Sequence, residues 1–129
     1  MRIIRNQRGE VAAEITAQTK WVQAVSLKLA SVADAVAFQE AIDLELVASK
    51  TRRVLVDARQ AELSTKAMNE SMWSWVRSTP HFDRLAIVNQ SPAISVAARM
   101  KAKSIGTKKV TVVHQFQQAA HWLMGADDD

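Results

Sequence analysis

The 129-residue chain has no cysteine, only three glycines and two prolines. Without cysteine no disulfide can staple the fold, but the length suffices to bury most of the apolar surface around one core without such help. The lack of thiols also suits a reducing compartment. Residues Met1-Arg2-Ile3-Ile4-Arg5 lack the apolar core of a secretion signal, and we expect a cytoplasmic protein. The longest apolar stretches fall far short of the roughly 20 residues that span a bilayer, which excludes a membrane-spanning helix. With so little glycine the backbone has few places to wrap a phosphate. No Gly-x-Gly-x-x-Gly turn, Lys-bearing phosphate loop or Gly-x-Ser-x-Gly elbow occurs.

Histidine is also scarce. His81, His114 and His121 are the complete set, and no pair has the i, i+4 or short-loop spacing of a metal site. We therefore expect neither metal nor cofactor. Asp57 is the best isolated acid, at the carboxyl end of a strand, where α/β sheets place their ligands; its alternative role is loop or helix capping. No base, nucleophile and orienting group can be assembled around it, and the chain reads as a non-enzyme.

What the chain does have is a basic surplus, 17 Lys and Arg against 13 Asp and Glu, a net charge of +4. Three of the acids form the terminal run Asp127-Asp128-Asp129, so residues 1–126 carry +7. Basic residues gather at Lys50-Thr51-Arg52-Arg53 and along Arg99, Lys101, Lys103, Lys108 and Lys109. Such clusters suit nucleic acid or anionic lipid, but no aromatic residue is interleaved with them. They read better as solvated helix ends, where a cation favours the dipole. Nucleic acid is not an expected partner.

Apolar patterning lays out the elements. Arg2 to Asn6 and Val11 to Thr16 flank Gly9, which permits a hairpin turn. From Trp21 to Leu29 the apolar Val25, Leu27 and Leu29 alternate with Ser26 and Lys28, a strand with one wet face. Ser31, with Asp34 three residues on, caps a helix from Val32 to Ser49. Its apolar residues fill a broad arc that also contains Gln39 and Asp43. Arg53 to Asp57 is an apolar strand, and Ser64 to Ser78 a second helix with Met68, Met72, Trp75 and Val76 on one face. Asp83 to Asn89 is the next strand, followed by a helix with Ser91 as cap and Pro92 in its first position, running to about Ile105. Lys109 to Val113 precedes a last helix ended by Gly125. The order β-β-β-α-β-α-β-α-β-α predicts an α/β fold, a mixed β-sheet of five to six strands with four helices, in one domain over 1–125 with an acidic tail at 126–129.

Particular residues carry a family resemblance. Arg53-Val54-Leu55-Val56-Asp57 closes a strand, Met72-Trp73-Ser74-Trp75 lies in a helix, and His81 precedes Arg84-Leu85-Ala86-Ile87-Val88. Val110-Thr111-Val112-Val113 then leads to Gln118-Ala119-Ala120-His121-Trp122-Leu123. Over roughly residues 20 to 125 this pattern resembles the SpoIIAA-like proteins of the STAS and SEC14-related group. Most matching positions are core positions, so they speak for fold more than for function. In the anti-sigma-factor antagonists of that group a serine at the start of the helix after the Asp-ended strand is phosphorylated, and Ser64 and Thr65 occupy about that place. Their Asp-Ser-Ser-Gly-like sequence is replaced here by Glu62-Leu63-Ser64-Thr65-Lys66. Ser64 and Thr65 are thus a candidate phospho-switch or, on the reading favoured by cap preferences, a helix cap.

The tryptophans divide by helical angle. Trp75 belongs with Met68 and Met72 in the core, whereas Trp73 sits further round the helix. It either faces a partner or a pocket, or packs under the loop around Pro80 and His81. Trp122 is expected to pack. A candidate partner or ligand surface comprises Asp57, Met68, Trp73, Asn89 and Ser91. The function expected is that of a non-enzymatic regulatory domain that binds a protein partner, with a homodimer as one form; the alternative is a carrier or sensor of a small apolar or lipid-like ligand. The carrier requires an apolar cavity of some hundreds of cubic ångströms.

Overall fold

A computed structural model of the protein describes residues 1–62 and 64–125. Leu63 and the tail at 126–129, both part of the sequence reading, lie outside them. Ten elements alternate in the expected order: β1 (Arg2–Arg5), β2 (Val11–Ala17), β3 (Val22–Ser26), α1 (Val32–Ser49), β4 (Arg53–Asp57), α2 (Lys66–Ser78), β5 (Arg84–Val88), α3 (Pro92–Ser104), β6 (Val110–Val113) and α4 (Phe116–Leu123). The third strand is shorter than its alternating pattern predicts, because after Ser26 the N–H groups of Leu27 and Lys28 both donate to Ala12 O, at 2.9 and 3.1 Å, which interrupts the regular ladder. The second helix starts two residues later than expected, because Thr65 is its cap.

The six strands lie in sequence order, β1-β2-β3-β4-β5-β6. β1 to β3 pair antiparallel, and β3 to β6 parallel. Three consecutive crossovers that step the same way across a parallel sheet, all of one hand, must put their helices on one face. The side-chain alternation agrees. Val54, Val56 and Leu85 point into the cluster beneath α1 and α2, with Phe38, Ile42, Leu46, Trp75 and Phe82. Leu55, Ala86 and Val88 point the other way, against Ala119 and Leu123 of α4.

Local chemistry sets the ends of the elements. Gly9 has φ 78° in the β1–β2 turn, where the buried Asn6 side chain accepts from the N–H groups of Arg8 and Glu10 at 2.9 and 3.1 Å. Ser31 Oγ accepts from Asp34 N at 3.1 Å, and Asp34 Oδ2 accepts from Ala30 N at 2.8 Å. The two polar residues inside the apolar arc of α1 face its neighbour α2. Asp43 accepts from Trp75 Nε1 at 3.1 Å and Thr79 Oγ1 at 3.0 Å, while Gln39 Nε2 donates to Ser71 Oγ at 3.0 Å. α2 is thereby tied to α1, whereas α3 leans towards the β6 edge, where Arg99 Nη2 donates to Val112 O at 2.9 Å.

Candidate functional site

The lean of α3 away from α2 leaves the carboxyl ends of β4 and β5 uncovered between them. A cavity of about 250 Å³ fills the gap. Its floor is Val56, Leu85 and Ile87, its walls include Met68, Met72 and Trp73 from α2 and Ile94 and Ala98 from α3, and Phe38 closes it from α1. The α2 register explains the lining. At 100° per residue Met68, Met72 and Trp73 span one arc, while Trp75 lies on its edge and turns its indole N–H to Asp43. The loop after β4 forms the rim. It is held by Ala58 N donating to Val88 O at 2.9 Å and Glu62 N donating to Leu27 O at 3.0 Å, which sets Glu62 and Ser64 at the mouth.

Asn89 stands at the end of β5 on the cavity face, and only 9 % of its surface is exposed. Its Oδ1 accepts from Ser91 N at 2.8 Å, a turn that leads into α3. Its backbone oxygen receives Ser95 Oγ at 3.3 Å and lies 3.2 Å from His114 Nδ1. As a carbonyl oxygen only accepts, that contact requires a proton on His114 Nδ1.

Of the candidate residues, the structure brings Ser64, Met68, Trp73 and Asn89 together around the cavity. Trp73 is half-buried against the core and lines the cavity. Thr65 is the α2 cap, its Oγ1 accepting from Met68 N at 3.2 Å, and Ser91 is the α3 cap, its Oγ accepting from Ile94 N at 3.3 Å. Asp57 belongs to the other side of the sheet. It shares the parity of Leu55, and Arg59 engages both of its oxygens at 2.9 and 2.8 Å. Hydrogen bonds from the Arg59 side chain, seconded by its N–H, hold the Asp57 carboxyl below the usual range against the opposing effect of burial. Among the described residues no group of three or more His, Asp or Glu is placed to hold a metal ion. Trp122 packs beside the α4 cluster with the Arg84 guanidinium 4.8 Å from its ring centre.

The architecture has a solved counterpart. A crystal structure of an uncharacterised protein from Shewanella loihica PV-4, of the DUF3478 family and described as having a SpoIIAA-like fold, superposes with a TM-score of 0.62. The match covers 87 % of this chain and 92 % of that one. The fold is SpoIIAA-like. At 15 % identity the likeness extends to the fold alone. No family model and no curated protein matches the sequence. In this SpoIIAA-like sheet the parallel strands show no reversal of order, so the cavity arises from the splay of α2 and α3 and not from a topological switch point. No helix among the described residues is long and apolar enough to cross a membrane.

Sequence reasoning reached Met68, Trp73 and Asn89 but missed Ile87, Ile94 and Ala98. These are ordinary strand and helix positions, and only the angle between α2 and α3 makes them lining.

Proposed function

We propose that the protein is a non-enzymatic carrier or sensor of a small, mainly apolar ligand. The observation that carries this reading is the cavity of about 250 Å³ lined by Met68, Met72 and Trp73 at the carboxyl ends of β4 and β5. Methionine and tryptophan offer polarisable, adaptable surface to an apolar guest. At the roughly 30 Å³ that one water occupies in the liquid, such a space holds about eight non-hydrogen atoms. That is a small organic molecule, or one end of a longer one. Among the described residues no constellation for bond-making chemistry accompanies it: Asp57 is neutralised by Arg59 on the opposite face, and the two hydroxyls nearest the start of α2 stand at the rim and at the cap.

Docking of a protein partner is the second reading. Its support is an apolar stripe on the outer side of α1, where Leu44 and Val47 are 57 % and 60 % exposed. Native mass spectrometry of protein purified gently from its own host separates the two. A co-purifying small molecule lost on Trp73→Ala is the expected result. An empty protein, whether monomer or dimer, would overturn the carrier reading in favour of docking.

A further inference from the structure

Five polar side chains line the otherwise apolar cavity among the described residues: Glu62, Ser64 and Asn69 are exposed, Ser26 of β3 is half-buried, and the one buried polar side chain is Asn89. Its orientation is fixed, because Ser91 N is a donor and the atom 2.8 Å from it must be the carboxamide oxygen. The other end of the amide is therefore the –NH2 group. That group has no hydrogen-bond partner among the described residues, yet it is not sealed off from solvent-accessible space. A donor on a residue nine-tenths buried, at the lining of an apolar cavity, is satisfied there by water or by a guest.

The charges around the cavity narrow the guest further. Glu62 at the mouth is the one charged side chain in the lining among the described residues, and no lysine, arginine or histidine joins it. A carboxylate or phosphate would meet a negative rim and no counter-charge, at a high desolvation cost. A neutral acceptor meets neither obstacle.

We infer that Asn89 is the specificity-determining residue of this cavity, and that it selects small apolar molecules bearing one uncharged hydrogen-bond acceptor, of the ketone or ester carbonyl kind. This rests on the carrier reading. Met68, Met72 and Trp73 hold the hydrocarbon part, and the Asn89 Nδ2–H donates to the carbonyl oxygen. Without that carbonyl the buried amide exchanges its water for nothing, which is the larger part of the discrimination.

Acetophenone and α-methylstyrene test it, since they differ only in a carbonyl oxygen replaced by a methylene. Binding of each is followed by the indole N–H signal of Trp73 in proton–nitrogen NMR, assigned by its loss in Trp73→Phe. Asn89→Ala removes the donor without placing a charge in the cavity. Taking the ratio of the two Kd values cancels the difference in hydration between the probes. The preference for acetophenone over α-methylstyrene should fall roughly three- to tenfold in the variant. Asn89→Leu, of nearly the same size and also without a donor, carries the same comparison if the alanine variant does not fold. An unchanged ratio with both probes still shifting the Trp73 signal would overturn the role of Asn89 and leave the carrier reading standing. A Trp73 signal that neither probe moves would overturn both.

Discussion

Asp43 is a carboxylate set in an apolar helix face, and its two oxygens serve two different partners on one neighbouring helix. It accepts the indole N–H of Trp75 and the hydroxyl of Thr79, both buried residues. Removing it leaves two donors in the interior with nothing to bond, and an unmade buried hydrogen bond costs more than a made one contributes. Asp43→Ala should lower stability by about 1–3 kcal/mol in urea unfolding, with Thr79→Val, which removes a donor without opening a cavity, on the same background adding little, because the two share one interaction. Additive losses would show that the bond is not the source of the effect. In the sequence Asp43 and Gln39 only blur the amphipathic pattern of α1. Their purpose depends on α2 lying alongside, about thirty residues further on in the chain.

At the scale of the element, the start of α2 separates two neighbouring hydroxyls. Both are exposed, but Thr65 caps the helix through a bond from Met68 N, whereas Ser64 stands at the rim of the cavity with no hydrogen bond to its hydroxyl among the described residues. Thr65→Ala should therefore cost about 1 kcal/mol in thermal unfolding, and Ser64→Ala only a few tenths. Equal losses would contradict the cap assignment. The distinction bears on the phospho-switch suggested by the family resemblance, since modification of Thr65 would cost the helix its cap bond from Met68 N and modification of Ser64 would not. Cap preferences make one of the pair the cap without saying which. The backbone path into the helix decides, with Thr65 in the extended conformation, φ −74° and ψ 164°, just before the first helical residue. The α1 arc shows the opposite limit of pattern reading, for it is apolar on nearly every side, and Leu44 and Val47 fall outward.

For the whole molecule, acid stability follows from carboxylates paired in the folded state. Asp57 is held below the usual range, first by the hydrogen bonds of the Arg59 side chain. A depressed folded pKa gives stability that is present above the unfolded value of about 3.9 and is lost as pH falls through the folded one. Asp57→Asn should make the stability curve shallower below about pH 4 and leave its slope near neutrality unchanged, as read from denaturant midpoints across pH. A curve that keeps its acid slope would remove Asp57 from the account.

The amino-acid sequence by itself determined the order and type of the ten described elements, because strand and helix periodicity, the caps Ser31 and Ser91, the turn at Gly9 and the stop at Gly125 act over a few residues. It determined the parallel half of the sheet too, since chirality leaves little choice for strands joined by helices. Tertiary structure alone decided that Asp57 turns to the α4 face, through strand parity against the chosen core. It also decided that α2 is tied to α1 while α3 leans on β6. The cavity, the exposure of Trp73 to it and the free end of the Asn89 amide all follow from that divergence, because an angle between two helices is set by distant side-chain contacts that no local pattern encodes.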